Sequence, residues 1–155
     1  MRRMALLFAA AALAAPASAS ALGISVGGSA PLSNFVPGQT STSGTVPITV
    51  SGVLTTWAVS VTAESSPTPG HLRSTGAGCA NSPAALASPL HLATTRTLGT
   101  TTVDNPSLDL SSATTQLAHG TVADVVNVVY SQPVSTSEAL VTGCSYQITL
   151  TYTVS

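Results

Sequence analysis

From Cys144 to Ser155 the chain alternates without a break. Cys144, Tyr146, Ile148, Leu150, Tyr152 and Val154 fall on one side, and Ser145, Gln147, Thr149, Thr151, Thr153 and Ser155 on the other. Successive side chains of a strand point to opposite faces, so this period predicts a strand with one buried face and one hydroxyl-lined, uncharged face. The pattern places Trp57, Val59, Ile148 and Leu150 together in a core and turns Thr149 and Thr151 to solvent. A one-residue slip would reverse every one of these assignments.

The same period recurs upstream. Leu22, Ile24 and Val26 alternate with Gly and Ser, as do Val46, Ile48 and Val50 with their neighbours, and then Trp57, Val59, Val61 and Ala63. Residues 31–44 read as a turn-rich connection punctuated by Pro37-Gly38, and residues 64–83, with three Pro and three Gly, as a long loop pinned at Cys79. Leu90-His91-Leu92 and Leu108-Asp109-Leu110 are short strand candidates. Residues 121–130, "TVADVVNVVY", are apolar on nearly both faces, which suits a central strand. The one weak helix signal is "NSPAALAS". Seven or eight strands without a convincing helix predict an all-β, antiparallel β-sandwich in a single domain.

The N-terminus predicts export. Arg2 and Arg3 precede an apolar run from Met4 to Ala15, Pro16 breaks it, and Ala17-Ser18-Ala19 supplies a small-x-small cleavage pattern. Residues 1–19 are therefore read as a signal peptide and 20–155 as the β-sandwich domain, with cleavage after Ala21 as the alternative. The apolar run is too short to span a bilayer, and no membrane span is expected. Strands of an outer-membrane barrel would need apolar outward faces and aromatic girdles, which this chain lacks.

Without that segment the chain keeps two arginines, Arg73 and Arg96, against five acids, a net charge of −3, and it contains no lysine. Phosphate neutralisation needs clustered cations, so nucleic acid is excluded as a partner class. Ser and Thr make up 44 of the 136 residues from Ser20 onward, so the surface is polar without charge. Cys79 and Cys144, the only cysteines of a chain read as exported, predict a disulfide.

The residue types of catalysis are sparse. His71 lies in the Pro/Gly loop, His91 on a short strand and His119 beside a turn glycine, with no His-x-His or His-x-x-x-His spacing to hold a metal. None of the serines is read as the nucleophile of a strand–turn–helix elbow. Asp104, Asn105 and Asp109 offer hard oxygen ligands of the kind calcium takes, yet Asx side chains in a turn ordinarily bond their own backbone. Trp57 reads as core, and stacking of an exposed aromatic on a sugar ring is the functional alternative, also for Tyr130, Tyr146 and Tyr152. No enzyme and no cofactor are expected. A small secreted hydrolase would require Asp, His and Ser to converge in a cleft.

Two stretches carry a resemblance. "VPITVSGVLTTWAVSVTA" followed by the terminal "YQITLTYTVS" is similar to the WxL-type surface domains of Gram-positive bacteria. Trp57-Ala58-Val59 matches the first Trp-x-Leu motif with Val59 in place of Leu. Tyr146 with Leu150-Thr151-Tyr152-Thr153-Val154 matches the second, with Tyr152 in place of Trp. The resemblance implies non-covalent attachment to the cell wall, with wall glycan or other surface proteins as partners. The expected protein is a non-enzymatic binding or structural module, extracellular or in the cell envelope. The chain also resembles fimbrial-type sandwiches, which implies a polymerising subunit that exchanges a strand through an exposed edge.

Overall fold

A computed structural model of the protein describes residues 22–52, 56–64, 68–76, 79, 84–97 and 99–155. The signal-peptide reading of residues 1–19 and both cleavage sites lie outside them.

Twelve strands form: β1 (Gly23–Val26), β2 (Thr40–Thr42), β3 (Val46–Ser51), β4 (Trp57–Ala63), β5 (Arg73–Thr75), β6 (His91–Arg96), β7 (Thr102–Val103), β8 (Ser107–Asp109), β9 (Thr115–Gly120), β10 (Asp124–Pro133), β11 (Ser145–Gln147) and β12 (Leu150–Val154). The fold is all-β and antiparallel, and its sheets pack together as a sandwich. The count exceeds the expected seven or eight because β2, β5 and β7 have three residues or fewer, too few to display a period, because β9 lacks a clean alternation, and because the terminal run divides into β11 and β12. One of them, β5, forms inside the stretch expected to be a long loop. Residues Ala84–Ser88 of the weak helix candidate form no helix, and Ala85 instead bridges to Arg73.

One sheet has the order β1-β3-β10-β6-β8, with β2 paired to the far end of β10; the other has the order β12-β4-β9-β7. The doubly apolar run is indeed central, since β10 is flanked by β3 and β6. Ile48, Val50, Leu92, Val126 and Val128 of the first sheet face Trp57, Val59, Val61 and Leu117 of the second, all at most 2 % exposed. Each such side chain contributes about 1.5–3 kcal/mol by leaving water.

The sandwich is closed on one side and open on the other. Residues 104–106 carry the chain directly from β7 in one sheet to β8 in the other. On the opposite side the edge strands β1 and β12 come into contact but do not pair.

The terminal alternation holds, but its strand is not continuous. Tyr146, Ile148, Leu150, Tyr152 and Val154 face inward and are half-buried, while Thr149, Thr151 and Thr153 are exposed. The chain changes partner in the middle: β11 pairs with β5 in a separate two-stranded ribbon, and β12 pairs with β4. Glu64, just past β4, secures the change. Its N–H donates to the Thr149 carbonyl (3.1 Å). Its carboxylate accepts the Thr149 N–H (3.3 Å) and pairs with Arg73 of β5 at 2.6 Å. The expected disulfide is present: Cys79 and Cys144, with Cα atoms 5.5 Å apart, close the ribbon next to the Ser145–Thr75 pair.

Candidate functional site

On the open side lies a groove of about 1230 Å³. One wall is the 28–37 segment after β1, the other the 138–144 segment and β11, and Leu72, Leu90, Leu150 and Tyr152 line it between them. The half-burial of the inward face of β11 and β12 follows from this geometry, because those side chains are shared between core and groove.

Four of the lining rings are aromatic. Phe35 and Tyr146 meet edge to face across the groove, with centroids 5.6 Å apart and planes at 79°. Tyr130 of β10 and Tyr152 of β12 join hydroxyl to hydroxyl, so the two sheets are linked at this point through a polar contact. Burial pushes both phenols above the ordinary tyrosine pKa; for Tyr152 the neighbouring Tyr130 adds to the rise. Neither phenol therefore brings charge to the groove at neutral pH. Among the described lining residues one acid occurs, Glu138, and its carboxylate is occupied by the backbone N–H groups of Ala87 and Ser135. Among the described residues the groove thus offers aromatic and aliphatic surface without an unpaired charge.

Trp57 lies outside the groove. It is 2 % exposed, and its indole N–H donates to the Val122 carbonyl at 2.7 Å. Val59 is wholly buried beside it. The two stretches that carry the family resemblance are thus neighbouring strands, with Val154 opposite Val59 and Tyr152 opposite Val61. The core residues Trp57 and Val59 are separated in environment from the groove residues Tyr146, Leu150 and Tyr152.

Asp104, Asn105 and Asp109 do not point to a common centre. Leu117 is a bulged residue of β9: Val59 pairs with Ala118 and Ser60 with Gln116, which leaves Leu117 between them. Its carbonyl accepts the N–H groups of both Asp104 and Asn105 (2.8 and 3.2 Å), which fixes the 104–105 turn against β9. Asp104 then binds His119 at 2.9 Å and Gln116 at 2.9 Å, and Asn105 donates to the Gln116 carbonyl at 2.6 Å. Burial works against ionisation of Asp104, but the hydrogen bonds from Gln116 and His119 outweigh it and hold its pKa below the usual carboxylate value.

Asp109 turns the other way, to His91 at 2.9 Å, and the remaining ring nitrogen of His91 meets the Ser107 hydroxyl at 3.1 Å. A serine, a histidine and an aspartate thus converge, although on an open sheet face and not in a cleft. His71 hydrogen-bonds the Leu86 carbonyl at 2.7 Å. Sequence reasoning missed the groove wall at 138–144, where no period or motif marks a function, and Ser107, which precedes β8's single apolar residue.

Comparison of the chain with protein-family models, with curated proteins and with solved structures gives no match.

Proposed function

We propose that this protein is an exported binding module of the bacterial surface or cell wall, and that its groove holds an uncharged stretch of wall glycan. The carrying observation is the set of four rings, Phe35, Tyr130, Tyr146 and Tyr152, around a groove that offers a ligand no unpaired charge. Sugar rings present apolar faces to aromatic side chains and hydroxyls to polar groups, which the surrounding Ser33, Ser145 and Gln147 supply. The N-terminal leader pattern, the disulfide and the WxL-like stretches support the same compartment. Co-sedimentation of the protein, lacking residues 1–19, with insoluble cell-wall glycan tests the reading. Wild type should pellet with the glycan, and Phe35→Ala and Tyr146→Ala should stay in the supernatant while still melting cooperatively. Equal pelleting of all three proteins, or none, would sink it.

A second reading, the strand-exchanging subunit, has its own observation. Ala58 and Ser155 exchange both backbone hydrogen bonds, so by alternation Leu150, Tyr152 and Val154 aim theirs away from β4, toward the unpaired edge. No charged residue guards that edge, the usual protection against pairing with another chain. Concentration-dependent filaments in sedimentation velocity would favour this reading, and a monomer at all concentrations would end it.

A further inference from the structure

On the outer face of the first sheet, we propose, Ser107, His91 and Asp109 form an acyl-transfer site that hydrolyses small carboxylic esters. The proposal does not rest on the groove and would survive its failure.

Strand register produces the constellation. Leu110 N–H donates to the Leu90 carbonyl and Thr94 N–H to the Pro106 carbonyl. Hydrogen-bonded pairs alternate along an antiparallel ladder, so His91/Asp109 and Ala93/Ser107 are the non-bonded pairs, in which side chains stand closest. Leu92 is wholly buried, so His91, one residue away, points outward. Ser107 and Asp109, two residues apart on β8, share that face and bracket the imidazole. Asp109 Oδ1 lies 2.9 Å from Nδ1 of His91, and Ser107 Oγ lies 3.1 Å from Nε2. A carboxylate at Nδ1 holds the proton there and leaves Nε2 to accept the serine hydroxyl proton. Nucleophile, base and a group that orients the base are the parts covalent catalysis needs, and their roles are set by geometry, not by chain order.

The edge position of β8 adds the remaining part. In a non-bonded pair the backbone N–H points away from the partner strand, and among the described residues β8 has no neighbouring strand on its other side. The Ser107 N–H therefore faces the open edge beside its own Oγ, where it can donate to the oxygen of a carbonyl under attack. Ala93 and Val129, paired on the neighbouring strands, form a small apolar floor beside Ser107. A floor of this size suits an acetyl-sized acyl group, and the open face suits esters carried on a larger molecule.

The steps balance. Ser107 Oγ bonds to the ester carbonyl carbon as its proton passes to His91 Nε2. The alcohol leaves with that proton, and Ser107 carries the acyl group. Water then attacks the acyl carbon, giving a proton to His91, and the carboxylic acid departs as Ser107 recovers that proton.

The experiment combines turnover of p-nitrophenyl acetate with labelling by a fluorophosphonate probe and peptide mass spectrometry. The chain has no lysine, which removes the usual surface amine that acylates non-specifically. Label is expected on Ser107. Ser107→Ala and His91→Ala should each lower kcat/KM on the order of 100-fold, and Asp109→Asn, a positioning residue, should lower kcat and leave KM unchanged. His119→Ala, at the other His–Asp pair, should change neither readout. All four positions are on outer faces, so the variants should melt as wild type does. Wild-type turnover by Ser107→Ala, or a probe that leaves Ser107 unlabelled in the folded protein, would overturn the proposal.

Discussion

The indole of Trp57 occupies the place where a side chain at position 120 would stand. Gly120 lies directly opposite it on β9, and a Cβ there would fall 2.7 Å from Cζ2 and 2.9 Å from Cε2 of the ring. Only a residue without a side chain lets the tryptophan lie against the neighbouring backbone and reach the Val122 carbonyl.

Gly120→Ala should therefore force the ring out of its site, at a cost of about 1–3 kcal/mol or more. Trp57 is the sole tryptophan, so its fluorescence reports the change directly. A red-shifted emission and a lower denaturation midpoint are expected, with Trp57→Leu on the same background recovering part of the loss. Unchanged emission would contradict the packing.

Reduction of Cys79–Cys144 should destabilise the protein by about 4 kcal/mol, the chain-entropy value for a loop of this length. The ribbon of β5 and β11 is the part held by the bond, so the groove wall should loosen first. Thermal melts with and without reductant measure the first effect, and proteolysis near residues 138–147 the second.

Acid should weaken the Glu64–Arg73–Thr149 junction. The Arg73 hydrogen bond holds the Glu64 pKa below its ordinary value, with the Thr149 N–H adding to it. A carboxyl depressed in the folded state contributes stability in full above its unfolded pKa of about 4.3, and loses it as pH falls through the lower folded value. The pair is partly exposed, so screening keeps its share to about 1 kcal/mol or less. Glu64→Gln should lower the melting temperature at pH 7 and show a flatter dependence below pH 5 than wild type. Parallel curves would refute this.

Deleting Tyr146 to Ser155 should abolish folding. Five inward side chains leave with the segment, each worth about 1.5–3 kcal/mol if fully buried and about half that here. With the loss of the β4–β12 ladder, the total reaches the order of a whole domain's stability, about 5–15 kcal/mol. A cooperative melt of the truncated chain near the full-length midpoint would show that the segment is dispensable to the core.

Much of the frame was legible because burial on one face leaves a period of two in the sequence. β3, β4 and β12 display it, and β10, sandwiched in the sheet, displays the run, apolar on nearly both faces, of a central strand. β9 hid because its bulge sets Leu117 and Ala118, both buried, side by side and breaks the alternation. The junction at Ile148–Thr149 was invisible for the opposite reason: inward and outward positions keep their parity while the chain changes partner. Ser107 and His91 meet only through the register of β6 against β8, which no spacing sixteen residues long records.

The change of partner at Thr149 has a consequence for how the molecule opens. β11 and β12 are successive segments of one backbone, one clamped by the disulfide-closed ribbon and the other laddered to β4. Neither can detach without dragging on Glu64, which holds the seam from the end of β4. The hydrogen-bonded amide hydrogens of β11 and of Thr149, Thr151 and Thr153 should then exchange with solvent as one correlated unit, far from independent fraying of a terminal edge, and lysis of the ribbon bond should split that unit in two.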